Sequence, residues 1–256
     1  MLAIYKKELG SYFRNPLGYV FVSVYLIASA LIFCYTTFKE KSYDTSAYFS
    51  LMIFAFIILI PLLTMKLFSE ERKLKTEQLI MTSPVTITGM VFGKFLAAFT
   101  VFIGSLAISL VNFIPLFAIA IRERAGTDYS TTHIGPVTGQ IVGSFIGLIL
   151  LGAAFIAIGM FVSAFFEDQL AAAITSIGAI LFMVVIGYVN TMTDANGNAI
   201  ISSYPVRFVL DWISVSSRFA NFGYGIFDFA AVVYYFSIAG VFIFLTIRIY
   251  DRRRWS

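Results

Sequence analysis

An all-α fold that crosses a membrane six times follows from three features of the sequence. Hydrophobic residues make up 59% of the 256 residues and charged residues 12%, with a mean hydropathy of +0.89. Six apolar stretches each reach the roughly 20 residues that a helix needs to cross hydrocarbon. Only short charged segments separate them. A backbone inside lipid has to close its own hydrogen bonds, because each unsatisfied amide there costs several kcal/mol, so such stretches become helices. An ordinary soluble domain carries about 25% charged residues, and no separate soluble catalytic domain fits between these spans.

Residues 1–16 form the first element. Leu2, Tyr5, Leu9, Tyr12 and Phe13 fall on one side of a helix, with Lys6, Lys7, Ser11 and Arg14 on the other, and Asn15-Pro16 ends the run. The pattern predicts an amphipathic helix lying in the inner headgroup layer; a basic tail that only orients span one is the alternative. Ala28-Ser29-Ala30 imitates a signal-peptide cleavage site, but it sits inside an apolar run that continues to Phe38, so the segment is expected to stay as the first span.

The spans are expected at about 17–38, 47–68, 95–121, 137–166, 170–190 and 229–249, within a single transmembrane domain covering 1–256. Lys39, Glu40, Lys41 and Asp44 join the first two. Gly135, Gly139, Gly143 and Gly147 recur every four residues around the start of span four, which predicts a smooth stripe for close helix packing, since packing drives helix association in lipid. Glu167-Asp168-Gln169 is a turn short enough to make spans four and five an antiparallel hairpin.

Lysine and arginine set the orientation, because they accumulate on cytoplasmic flanks. With both termini inside, the inner side holds Lys6, Lys7, Arg14, Lys66, Arg72, Lys73, Lys75, Lys94, Arg248, Arg252, Arg253 and Arg254. The outer side then holds Lys39, Lys41, Arg122, Arg124, Arg207 and Arg218. Twelve against six places both termini in the cytoplasm, and the formal charge of +4 needs no nucleic acid to explain it.

The most charged stretch is the loop 69–90, beginning Ser69-Glu70-Glu71-Arg72-Lys73. Glu70 and Glu71 are placed to cap or pair at a helix start, Leu74, Leu79 and Ile80 supply apolar contact, and Ser83-Pro84 breaks the helix. Taken alone this is either a solvated charged loop or a docking helix. Glu71 to Val85 is similar to the coupling region of type-2 ABC transporter permeases, through Glu71, Arg72, Thr76, Leu79 or Ile80, Ser83, Pro84 and Val85; Lys75 stands where that family usually has glycine. Gly93-Lys94-Phe95, then Arg218-Phe219, Asn221-Phe222, Gly225-Ile226, Asp228 and Tyr234-Tyr235, extend the resemblance in the same order, closest to the gliding-motility and copper-processing branches.

The resemblance implies a six-span exporter permease that works as a dimer, with a second copy or a related permease, and docks two cytoplasmic ABC ATPase subunits. Glu70, Glu71, Arg72, Thr76, Glu77, Leu79, Ser83 and Pro84 would couple to the ATPase. ATP and Mg would be bound by that partner, and this chain would carry no cofactor. An additional extracytoplasmic subunit is compatible with it, and the location implied is a bacterial or archaeal cytoplasmic membrane. Consistent with this division, the sequence has no Gly-x-x-x-x-Gly-Lys-[Ser/Thr] loop: Gly89 to Phe95 has the wrong spacing.

Residues 191–228 are expected to be extracytoplasmic and partly re-entrant. Aromatic residues interleave with Arg207, Asp211, Arg218 and Asp228, and rings favour the membrane interface. Trp212, Arg218, Phe219, Phe222 and Asp228 are the candidates for an outer gate, in a sealing rather than a substrate-reading role.

Other function classes fit less well. A secondary transporter needs ionisable groups inside its spans, and these spans show essentially none; Asn112, Pro115 and Gln140 read as packing and kinking residues. An intramembrane enzyme needs a paired site, yet Cys34 and His133 are each alone and the acids Glu167 and Asp168 lie at a turn. A membrane subunit that performs mechanical work rather than transport shares every feature above.

Overall fold

A computed structural model describes residues 1–39, 43–76, 86–124, 135–191 and 203–255, and they are helical throughout, with no strand among them. Helix α1 (Leu2–Arg14) stops at Asn15, whose extended backbone is what the following proline requires, and Pro16 opens α2 (Pro16–Phe33) at a position that needs no amide hydrogen. A π-helical turn, Cys34–Phe38, completes the first rod. Helix α3 (Ser46–Thr64) follows an Asp44 carboxylate that accepts from the Ser46 amide at 2.9 Å. A single residue, Met65, whose backbone angles stay helical, separates α3 from α4 (Lys66–Lys73).

Helix α5 (Ile87–Ser109) is capped by Thr86, whose hydroxyl accepts from the Gly89 amide at 3.3 Å. It tightens into a 3₁₀ turn, Leu110–Phe113, just before Pro115, and continues as α6 (Ile114–Arg124). The remaining long helices are α7 (Thr138–Ser163), α8 (Gln169–Thr191) and α11 (Phe229–Trp255). Two short ones, α9 (Tyr204–Ile213) and α10 (Ala220–Gly223), lie between α8 and α11.

Six helical rods are long and apolar enough to cross a membrane: Pro16–Phe38, Ser46–Lys73, Ile87–Glu123, Thr138–Ser163, Gln169–Val189 and Phe229–Arg254. The chain is a multi-pass helical membrane protein. Spans two and four are mostly buried and form the centre, whereas spans one, three, five and six turn most of their surface outward. Span four can be central because its glycines admit neighbours: a Cβ at Gly152 would meet the Phe102 ring, and one at Gly159 would meet Thr64.

Three differences from the sequence reading have physical reasons. Span three starts at Ile87, earlier than expected, so Lys94 sits two turns inside a helix rather than on its flank. Helix α1 also packs on the bundle, which the sequence reading did not foresee: Glu8 and Tyr12 are buried, and Ile4 rests on Gly93. Helix α4 begins at Lys66 because span two runs on past Met65, so Glu70 and Glu71 fall in its second half and cap no helix start.

Candidate functional site

The end of the bundle that carries α1 and α4 is built around charged side chains. The interruption at Met65 makes the first amides of α4 a helix start, and Met65 has no side-chain oxygen to cap them. Ser163, at the end of α7, takes that role from 95 residues away. Its hydroxyl accepts from the amides of Phe68 at 3.2 Å and Ser69 at 3.3 Å, and donates to the Met65 carbonyl at 3.0 Å. The direction of α4 is therefore set by span four.

Lys94 has its side chain 1% exposed and all three of its ammonium hydrogens engaged. Its Nζ donates to Glu8 Oε1 on α1 at 3.2 Å, and to Glu71 Oε1 and the Leu67 carbonyl on α4 at 2.9 and 2.7 Å. The Phe68 ring lies beneath it at 5.1 Å. A charge this far from water persists only when paired and hydrogen-bonded, which the two carboxylates provide. Lys66 is also buried; its ammonium stands 4.1 Å over the Tyr12 ring. Burial first, then Glu8 and Glu70, push the Tyr12 phenol well above its ordinary range, so it stays neutral and donates to the Leu63 carbonyl at 2.8 Å.

On the opposite side of α4, Arg72 reaches the turn between spans four and five. It donates to the carbonyl of Phe165 at 2.5 Å and to Glu167 at 3.0 Å, while Arg253 of α11 donates to the Ala164 carbonyl at 2.9 Å. Helix α4 then stops in a Schellman arrangement: the Thr76 amide bonds the Glu71 carbonyl and the Lys75 amide bonds the Arg72 carbonyl, both at 3.0 Å. Such a stop needs a left-handed residue, and Lys75 supplies it with φ +55°. The glycine of the resembling family would sit at this position, and lysine adopts the same conformation here at some cost in strain.

Of the residues expected to couple to an ATPase, Glu71 and Arg72 therefore face inward, onto Lys94 and the span four to five turn. Glu70 is half-buried, and Thr76 is exposed beside Lys73 and Leu74. Glu77, Leu79, Ser83 and Pro84 lie outside the described residues.

The other end is aromatic. Phe33, Tyr48, Phe49, Phe113 and Phe145 meet ring to ring at 5.0–5.9 Å, and Asn112 donates to Ser29, itself bonded to the Tyr48 hydroxyl. Gln140 donates to Asp44 at 2.9 Å. Of the glycine stripe, Gly143 and Gly147 lie against the segment 217–225: a Cβ at Gly147 would stand 2.9 Å from the Phe219 ring, and one at Gly143 3.1 Å from Gly225. Gly139 has open space where a Cβ would be, and Gly135 precedes the helix with φ +137°. The stripe thus receives the short segment 217–225 and not another span.

Phe219 and Phe222 are buried there, while Trp212 is exposed. Arg218 stacks 4.3 Å over the Tyr234 ring, and Asp228 opens α11 by accepting from the Ala230 amide at 2.9 Å. The Asn221 amide, bonded to the other oxygen at 2.9 Å, is the main cause that holds the Asp228 carboxyl below its ordinary range, with the α11 amides and Arg218 adding to it. An apolar groove of about 430 Å³, lined by Gly178, Phe182, Val185 and Leu210 among others, runs between α8 and α9.

Sequence reasoning missed Glu8, Lys66, Lys94 and Ser163 as site residues, and its statement that the spans hold essentially no ionisable group is corrected at this end. Glu8 did carry a signal: it shares the helical face of Tyr5 and Tyr12, an acid on a greasy stripe. Among the described residues no group of three or more His, Cys, Asp or Glu is placed to hold a metal ion.

In comparison with known protein families, residues 35–247 match the family described as ABC-2 family transporter protein. Comparison with curated proteins gave no match.

Proposed function

We infer the function from one premise: this chain belongs to the ABC-2 family of transporter proteins, as the match over residues 35–247 shows. The proposal is that it is the membrane-spanning permease subunit of an ATP-driven ABC exporter, and that a separate cytoplasmic ATPase, present in two copies, binds ATP and Mg and hydrolyses the nucleotide. A second permease, identical or related, would complete the translocation path, with spans one, two and five expected at the contact. Both termini would face the cytoplasm of a bacterium or archaeon.

The observation that carries this reading is the form of span two. It leaves the apolar zone as one continuous rod ending in α4, whose exposed residues Lys73, Leu74 and Thr76 are presented while Glu71 and Arg72 are bolted to the bundle. A helix exposed on one side and tied on the other passes an external push into the spans. Trp212, Arg218, Phe219, Phe222 and Asp228 would close the path at the far end, where Phe219 and Phe222 already fill the space beside span four.

Copurification tests it. The tagged chain is expected to retain an ATPase, and Glu70→Ala or Pro84→Ala to abolish retention or the hydrolysis of the complex. Unchanged assembly together with unchanged hydrolysis would remove the coupling role. So would labelling of a cysteine at Lys73, in a Cys34→Ser background, by an impermeant reagent added from outside the cell.

A further inference from the structure

We propose that Lys94 is a positioning residue that makes α1 and α4 one rigid lever mounted on span three. The inference rests on the reading that α4 receives the push of an ATPase, and adds that the push reaches α1 and span three through one ammonium group.

The geometry argues for a pin and against a mere neutral filler. Lys94 donates to two carboxylates on different helices and, with its third hydrogen, to the Leu67 carbonyl one turn before Glu71. Leu67 and Glu71 are four residues apart, so the ammonium fixes both the height and the rotation of α4. Glu8 brings in α1, 86 residues away in sequence. The side chains of Glu8 and Glu71 are 11% and 14% exposed, so without the cation they face each other with little solvent to screen them. Lys7 approaches Glu8 and Glu71 only at 3.9 and 3.8 Å and is 64% exposed, which leaves it too hydrated to replace Lys94. Among the described residues no second cation is hydrogen-bonded at this point: the Lys66 ammonium lies on the Tyr12 ring.

Two other joints hold α4 without Lys94. Ser163 holds its start and Arg72 ties it to the span four to five turn. Loss of Lys94 therefore removes the directional hydrogen-bonded link between α1 and α4, leaving the Lys66–Tyr12 ring contact and the hydrated Lys7, while α4 stays seated on spans four and five. Tyr12 and Ile4 keep α1 near the bundle through the Leu63 carbonyl of span two, Gly93 of span three and the ring face that Tyr12 offers to Lys66 of α4; a cation over a ring is less directional than the charged hydrogen bonds of Lys94 and sets the helix spacing less narrowly.

The test uses the whole chain in lipid nanodiscs, Cys34→Ser, with spin-label pairs. One pair, Lys6→Cys with Lys73→Cys, reports α1 against α4; a control pair, Lys73→Cys with Asp168→Cys, reports α4 against the span four to five turn. A single narrow α1 to α4 distance is expected in the parent and in Lys94→Arg, and loss of that narrow peak in Lys94→Met and in the milder Glu8→Gln, with the control pair unchanged in all. A narrow α1 to α4 peak in Glu8→Gln and Lys94→Met overturns the proposal, as does broadening of both pairs together, because that is general loosening. These distances need no ATPase, so a failure to retain one in copurification would remove the proposed function and leave this result standing.

Discussion

The two ends of this bundle are held by different forces. At the α4 end the joints are directional: Lys94 between Glu8 and Glu71, Arg72 on Glu167 and the Phe165 carbonyl, Arg253 on Ala164, and Ser163 across the helix interruption at Met65. At the α10 end, rings and glycines predominate: Phe219 and Phe222 against Gly143 and Gly147, and the cluster around Phe113. Charged hydrogen bonds fix distance and angle, and they are lost abruptly when a partner moves. Ring contacts are spread over many weak pairs and tolerate sliding. The difference teaches that one end is held by joints that resist a change of angle and the other by contacts that let packed helices slide, which is the division of labour that the proposed function would use.

Four measurements sharpen or break that contrast. The largest effect is expected for Lys94→Met, which leaves two carboxylates facing each other and should lower stability by about 3 kcal/mol in denaturant unfolding of the detergent-solubilised chain. If it costs no more than a surface lysine, the directional joint has no weight. Next is Gly147→Leu at the aromatic end. Its side chain has nowhere to go beside Phe219, and overpacking should cost about 2 kcal/mol and raise the exposure of residues 217–223 to hydrogen exchange. An unchanged exchange pattern would mean that the outer helices are not seated on span four.

Lys75→Gly should act in the other direction. Glycine removes the strain of a left-handed lysine at the end of α4, and thermal unfolding should show a gain of about 1 kcal/mol. The smallest effect belongs to Asp228. Its folded carboxyl is held below the ordinary value, so its contribution is present above about pH 4 and is lost as pH falls through the lowered folded value. The difference in unfolding midpoint between wild type and Asp228→Ala should be constant near neutrality and shrink in acid. A difference that grew in acid would have the sign wrong.

Much of this architecture was legible in the residues. The six spans could be counted from apolar length, and the break before α2 could be placed at Asn15-Pro16. Lys75, the departure from the resembling family, became intelligible only with its φ of +55°, because a sequence shows which residue stands at a turn and not what backbone it accepts. The glycine stripe was visible as a smooth face, but its partner was not: Gly143 and Gly147 receive Phe219 and Phe222, more than 70 residues downstream. Lys94 was counted as a flanking charge because hydropathy averages over a window and does not register one cation folded under another helix.

Local chemistry along the chain therefore decided that it enters the membrane, how many times, and where each helix breaks, since hydrophobic length, proline and capping act within a few residues. Folding in three dimensions decided which charges work together. Glu8, Glu71 and Lys94 meet across 86 residues, and Arg72 meets Glu167 across 95. A buried ion pair is specified by the joint placement of three helices, and no stretch of sequence short enough to read as a motif contains that placement.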